Sequence, residues 1–175
     1  MLADPIDEQA FRTALGRFCT GVTVITADDG ERFHGMTATA FSSVSLSPPM
    51  ILVCVGTNTR MNRVLAAGKA FGVSILGQTQ ESVSAHFSGR ANTPPPMTRL
   101  EEVPVVEGAL AHLACRAVTV HAAGDHHIHI GEVVACHTAA GLPLLHYEGR
   151  YRGLKAEPSA EKRSVSDGNS PYWRR

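Results

Sequence analysis

The stretch GMTATAFSSVSLSPPMILVCV, residues 35–55, most constrains the fold of this chain. Between Met36 and Leu46 the even positions are apolar except Ser42, and the odd positions carry hydroxyls except Phe41. A period of two predicts a β-strand with one core face and one face of donors. The broken parity at 41–42 predicts a bulge or a kink. Pro48 and Pro49 should end the pairing, and residues 50–55 are typical of a short buried strand.

A strand lined with small hydroxyls and followed by a kink has one chemical use. It brings hydroxyls and backbone N–H groups close to a flat, polar-edged ligand or a phosphate. On the pattern alone, a solvated strand face rich in Ser and Thr is the commoner explanation. Both interpretations stay open at this point.

The rest of the chain alternates short strands with a few short helices. Helices are predicted at 7–18, 60–67 and 80–87, the first capped by Asp7 and the second ending at Gly68. Strands are predicted at 22–27, 31–35, 71–75, 110–122, 126–137 and within 143–154, with hairpin turns at 28–30 and 123–125. The irregular segment 89–106 contains three consecutive prolines and predicts a surface loop or arm. The pattern indicates one domain over 1–154, an antiparallel barrel with helical excursions, and a polar, flexible tail over 155–175.

Charge and cysteine usage exclude several classes of protein. The 175 residues carry 16 Lys and Arg against 16 Asp and Glu, so nothing indicates a nucleic acid or an anionic membrane as partner. The four cysteines (Cys19, Cys54, Cys115 and Cys136) are far apart and show no C-x-x-C spacing. They predict reduced, buried thiols in a cytoplasmic protein. We expect neither a signal peptide nor a membrane span.

The densest polar cluster is Asp-His-His-Ile-His at 125–129. On a strand, His127 and His129 share one face and His126 lies on the other. Three interpretations remain: a ligand contact from a histidine at the turn, a solvated hairpin end, or a cupin-type metal site with Glu132. Only two residues separate His129 from Glu132, fewer than a cupin site expects.

Two arginines follow the Gly-Thr-Asn-Thr loop at 56–59. Arg60 and Arg63 near a helix start are compatible with a phosphate site or with plain exposure. Arg150 and Tyr151 in a late loop are compatible with ligand contact or with an ordinary surface. The chain contains no G-x-G-x-x-G, P-loop or G-x-S-x-G motif.

Seven fragments in order resemble the flavin reductase family, the small partners of two-component flavin-dependent monooxygenases. They are FRTALGRFCTGVTVITA, the stretch 35–55, residues 58–63, VSAHFSG, EGALAHLACR, GDHHIHIGEV and PLLHYEGRY, together spanning most of 11–154. The resemblance implies a mainly β fold, a six-stranded antiparallel split β-barrel (FMN-binding split barrel, Greek key) with short helices. It also implies a homodimer with the flavin at the subunit interface.

The resemblance assigns site residues one by one. Along the flavin ring and ribityl chain it places Gly35, Met36, Thr37, Ala38, Thr39 and Ala40. It places Ser42 and Ser43 near the phosphate end, and Cys54, Val55 and Gly56 under the ring. The pocket is completed by Arg60, Met61, His86 and Phe87. On the nicotinamide side it places His126, Tyr147, Gly149, Arg150 and Tyr151. The family often has Asn or Gln at the position of Thr39, which bears on the choice between FMN and FAD.

The implied reaction is hydride transfer from NADH or NADPH to N5 of FMN or FAD, without a metal. His126 is expected to order the nicotinamide, and the reduced flavin is expected to pass to a partner monooxygenase. Two alternatives are kept: a flavin- or haem-binding split barrel without reductase activity, and a cupin-like metal oxygenase built on His127, His129 and Glu132.

Overall fold

The computed structural model describes residues 6–67 and 70–155. The predicted helix end at Gly68 and the tail over 156–175 lie outside the described residues. The helices are α1 (Glu8–Gly16), α2 (Arg60–Ala66) and α3 (Glu81–Phe87). The first six strands are β1 (Thr20–Gly21), β2 (Thr23–Asp28), β3 (Phe33–Ala38), β4 (Phe41–Leu46), β5 (Pro49–Gly56) and β6 (Ala70–Ile75). The others are β7 (Met97–Leu100), β8 (Val103–Val106), β9 (Ala111–Ala123), β10 (His126–Thr138), β11 (Leu144–Tyr147) and β12 (Arg150–Gly153).

The main sheet is antiparallel and has seven strands in the order β3-β2-β6-β9-β10-β5-β4. Its two edge strands, β3 and β4, are consecutive in the chain and are joined by Thr39 and Ala40 alone. The sheet therefore curls until its edges approach each other, and it stays open between them. We call this opening the seam. The predicted mainly antiparallel β fold with short helices is confirmed, although the main sheet has one strand more than the six expected.

Within the stretch 35–55, the single strand predicted over 36–46 is wrong. The chain bends at Thr39, whose carbonyl accepts the Phe41 N–H at 3.0 Å. The register shift lies between Ser43 and Ser45 rather than at 41–42. Because Phe41 packs against the core, the even positions of β4 turn outward, and Val44 is 44% exposed.

The core lies between the curved sheet and helix α2. In β5 the odd positions Ile51, Val53 and Val55 are buried, as the predicted buried strand requires. Thr59 caps α2 by accepting the Asn62 N–H at 3.1 Å, and the helix buries its apolar side chains against the same cluster. A second cluster joins Val22, Leu76 and Leu144 on the side of α3 and β11.

Two other segments differ from their predictions. Residues 89–106 are not only a loop: β7 and β8 form a hairpin, and all of β8 is buried. Helix α1 begins at its predicted cap, where the Asp7 carboxylate accepts the Ala10 N–H at 2.9 Å. Its apolar stripe is nevertheless exposed, with Phe11 at 53% and Leu15 at 57%.

The cysteines are free thiols that differ in burial. Burial raises the pKa of Cys115 to about 12, so this thiol stays protonated. Cys19 and Cys136 are exposed, so the prediction that all four are buried is wrong. No helix among the described residues is long and apolar enough to cross a membrane.

Candidate functional site

A cleft opens between the end of β3, helix α3 and the β11–β12 hairpin. Its volume is about 240 Å³, and it is lined by Val22, Thr37, Thr39, Ser84, Ser88, Arg90, His146, Gly149 and Tyr151. The cleft thus brings together two residues of the predicted flavin set, Thr37 and Thr39, and two of the nicotinamide set, Gly149 and Tyr151.

Helix α3 fixes the walls of this cleft. The Thr37 hydroxyl donates to the Ser84 carbonyl at 2.8 Å, and the buried Ser84 hydroxyl lies 2.8 Å from the Tyr151 hydroxyl. One residue of α3 therefore bonds to both sides of the cleft. Three residues further along α3, the ring of Phe87 occupies the space above Gly35: a Cβ built there would lie 2.2 Å from Cε1. The ring of Phe87 fills the space that a side chain at position 35 would occupy, and this favours glycine there.

The polar groups of this region fit a flat ring with polar edges. The hydroxyls of Thr37, Thr39 and Tyr151 line the cleft, and Arg90 adds a cation. On α3, Nδ1 of His86 is buried and has no hydrogen-bond partner among the described residues. His86 itself does not line the cleft, so the fit rests on the hydroxyls of the cleft and on Arg90. The residues present therefore fit a heteroaromatic cofactor such as a flavin.

The chain between β3 and β4 contacts β5, and β5 in turn lies beside the strand that begins at His126. The Ala40 carbonyl accepts the Cys54 N–H at 3.0 Å, and Gly56 of β5 lies opposite His126 of β10. Ala40, at the end of the predicted segment 35–40, is therefore a neighbour of Cys54, and Gly56 is a neighbour of His126. The Val55 side chain is buried in the core, so a ligand would reach only its backbone.

Other predicted residues do not line the cleft. Met61 is only 4% exposed and packs in the core, and Ala38 is also buried. Ser42 and Ser43 are exposed on β4. Tyr147 and Arg150 face each other across the β11–β12 hairpin.

His126 stands at the start of β10, after a turn that Gly124 makes with φ +62°. Its Nδ1 lies 2.7 Å from the Asp125 carboxylate, and its side chain is 49% exposed. The hydrogen bond to His126 lowers the pKa of Asp125. His126 is thus oriented by a carboxylate and accessible from solvent.

Arg60 is held by an aspartate that the sequence did not single out. The Asp29 carboxylate accepts from Arg60 at 3.0 Å and lies 2.6 Å from Nε2 of His34. The backbone N–H of Arg32, then His34 and the backbone N–H of Glu31, hold the pKa of Asp29 well below its usual range. A cavity of about 410 Å³ beside this group is lined by Asp29, Arg60, Arg63, Val64 and Ala67.

The cupin-type alternative finds no support in 6–67 and 70–155. There, no three His, Cys, Asp or Glu side chains are grouped to hold a metal ion. Glu132 bonds to Arg116 at 2.6 Å, while His127 and His129 both bond to Asn62.

Several residues of the site were missed by sequence reasoning. Ser84 and Ser88 lie inside the fragment VSAHFSG, so their place on a helix beside the predicted His86 was a usable signal. Asp29 and Asn62 offered no signal for their long-range contacts, because Asp29 is 31 residues from Arg60, and Asn62 is 65 and 67 residues from His127 and His129.

Comparison with known proteins agrees with this geometry. Residues 15–155 match the family model described as flavin reductase like domain. The chain is 45% identical over 149 residues to the NADH-dependent flavin reductase of Rhodococcus sp., covering 82% of this chain and 85% of that one. It is 44% identical over 148 residues to the reductase component of 4-hydroxyphenylacetate 3-monooxygenase from Thermus thermophilus, covering 84% and 97%. The structure of the NADH:FAD oxidoreductase SgcE6 of Streptomyces globisporus, in complex with NAD and FAD fragments, is similar at a TM-score of 0.82 and 38% identity, covering 92% and 99%.

Proposed function

Since this chain belongs to the flavin reductase family, we propose that it is an NADH-dependent flavin oxidoreductase. One observation carries the proposal: residues of the predicted flavin and nicotinamide sets, Thr37, Thr39, Gly149 and Tyr151, line the same cleft. Relatives named NADH-dependent flavin or FAD reductases support the same activity.

A bound flavin would supply the hydride acceptor, so the protein's task is to bind and orient. Thr37 and Thr39 are proposed to hold the ring from β3, and His86 to meet a polar edge with its unpaired Nδ1. Arg60, fixed by Asp29, is proposed to bind the phosphate. His126 and Tyr151 are proposed to order the nicotinamide. The orientation of two stacked rings then provides most of the acceleration, which explains how the site works without an acid–base pair.

The test is steady-state oxidation of NADH and NADPH with FMN, FAD and riboflavin in turn. We expect NADH to be preferred, as the names of the relatives suggest, and FMN or FAD to be reduced. A protein that binds flavin but oxidises neither nucleotide would instead fit the non-catalytic split barrel.

We also propose that the working unit is a homodimer. The cleft of one chain, about 240 Å³, is smaller than the roughly 300–1,000 Å³ of ordinary ligand pockets, which supports a second wall contributed by another copy. Large apolar side chains are exposed on α1, β4, β9 and β10, as expected for a surface that a second copy covers. Light scattering coupled to size exclusion should give twice the mass of 18.7 kDa, and a monomer that turns over would contradict the proposal.

Reduced flavin is proposed to pass to a separate monooxygenase in the cytoplasm. Relatives named as reductase components or subunits of monooxygenases support the transfer, and free cysteines suit a reducing compartment. Flavin released in reduced form should reduce cytochrome c in solution. If reduced flavin stays on the protein, no such reduction occurs.

A further inference from the structure

Three side chains behind the His126 turn form a hydrogen-bond cluster that the proposed reaction does not use. Asn62 of α2 is 6% exposed, and its Oδ1 lies 2.9 Å from Nδ1 of His127 and 2.9 Å from Nε2 of His129. His129 is 1% exposed. This cluster accounts for His127 and His129, for which the sequence left open a metal site, a ligand contact or a solvated hairpin end.

The hydrogen bonds fix the orientation of Asn62 and of both rings. The Asn62 amide nitrogen donates to the Thr57 carbonyl at 3.0 Å, so Oδ1 must be the atom that faces the histidines. An amide oxygen only accepts, so each facing ring nitrogen must carry a proton. In the neutral rings, His127 is then the Nδ1–H tautomer and His129 the Nε2–H tautomer. The other nitrogen of His129, Nδ1, is buried without a partner in the described part of the chain.

The same cluster joins two segments that the proposed function uses separately. Thr57 lies in the loop between Gly56 and Arg60, and both its N–H and its hydroxyl bond to the Asp125 carbonyl, at 3.0 and 3.2 Å. Asp125 in turn orients His126. Asn62 therefore contacts the flavin-side loop through Thr57 and the nicotinamide-side strand through His127 and His129.

We propose that Asn62 is a positioning residue that sets the His126 turn against the 56–60 loop, and that it does so by accepting from His127 and His129 together. The inference rests on the proposed function, since it assigns Asn62 a role in ordering the nicotinamide through His126. Asn62 itself acts through other residues and is not placed against the substrate.

The first test reads the ring tautomers in the wild-type dimer by long-range proton–nitrogen NMR. We expect His127 to carry its proton on Nδ1, the less common position for a free imidazole, and His129 on Nε2. Finding the His127 proton on Nε2 overturns the proposal. No substitution is involved, so this arm stands even where a variant fails to fold.

The second test is a double-mutant cycle on the Michaelis constant for NADH. Asn62→Leu should raise it about fivefold, the size of one lost neutral hydrogen bond. In the His126→Ala background, Asn62→Leu should raise the Michaelis constant for NADH by less than about twofold, because the histidine that Asn62 positions is absent. Equal factors in both backgrounds overturn the proposal.

A matched control separates positioning from loss of stability. Leu65→Val trims a buried side chain on the same helix and should lower the melting temperature without coupling to His126. Amide exchange at Thr57 should accelerate in Asn62→Leu and not in Leu65→Val. If the protein oxidises no NADH, the proposed function fails, while the tautomers and the Thr57 exchange still decide whether the cluster holds the turn.

Discussion

Substituting Gly35 with alanine tests the contact between β3 and α3 that shapes the cleft. The added Cβ would lie 2.2 Å from Cε1, 2.3 Å from Cδ1 and 3.1 Å from Cζ of Phe87. All three atoms belong to one partly buried ring that packs against the second core cluster. The ring cannot yield by a few tenths of an ångström, so it must rotate or α3 must move.

Overpacking of this kind costs about 1–3 kcal/mol. For a domain near 150 residues, each kcal/mol lowers the melting temperature by roughly 2–4 °C. We therefore expect Gly35→Ala to melt about 2–12 °C lower than the wild type. Since α3 also carries Ser84, the Michaelis constants for flavin and NADH should both rise.

Thermal and urea unfolding of four proteins give the answer: wild type, Gly35→Ala, Phe87→Ala and the double variant. Phe87→Ala removes the three atoms that lie nearest to the new methyl group. The double variant should therefore lose less stability than the sum of the singles, by about 1–2 kcal/mol. Gly21→Ala is the matched control, because a Cβ at Gly21 meets nothing within 4 Å.

Two results would refute the reasoning. One is a Gly35→Ala protein as stable as Gly21→Ala, which would mean that the ring moves at no cost. The other is strict additivity in the cycle, which would mean that Gly35 is required for a reason unrelated to Phe87.

His126→Ala should raise the Michaelis constant for NADH and leave flavin affinity within about twofold; unchanged NADH kinetics would remove His126 from the nicotinamide side. Arg60→Ala should weaken flavin binding, measured by fluorescence quenching, more than NADH binding, whereas Arg63→Ala on the same helix should change neither by more than about threefold. Burial, and then the neighbouring His127, lower the pKa of His129, so the unfolded chain takes up a proton near pH 6.5 that the folded protein resists. Unfolding free energy should therefore be level above about pH 6.5 and decrease as the pH falls below it, and the decrease should be smaller in His129→Gln.

Much of the fold was predictable because its signals are local. The hairpin after β2, the Thr59 and Asp7 caps and the long β9–β10 pair follow from turn residues, capping side chains and alternation over short windows. The resemblance of seven fragments then supplied the architecture. Local periodicity failed in β4, where the single residue Phe41 decides which face turns inward.

The candidate site was predictable only in part, since its contacts join distant segments. The fragments placed Thr37 and Tyr151 in the site, but their common bond to Ser84 spans 47 residues on one side and 67 on the other. Arg60 is 31 residues from its partner Asp29, and Asn62 is 65 residues from its partner His127. The apolar stripe of α1 shows that this helix is amphipathic. The stripe does not indicate whether the same chain or a second copy of the protein covers the apolar face.

The two-residue link of Thr39 and Ala40 limits how far β3 and β4 can separate at one end of the seam. Ala38 and Phe41 are three residues apart, so their Cα atoms are separated by no more than about 11 Å however the chain is drawn out. The width at this closed end is thus a matter of chain length. A single residue inserted beside Thr39 would lengthen the link between β3 and β4 by about 3.5 Å, a change that no side-chain substitution reproduces. Deletions and insertions at 39–40, more than point changes, should therefore alter the spacing between β3 and β4.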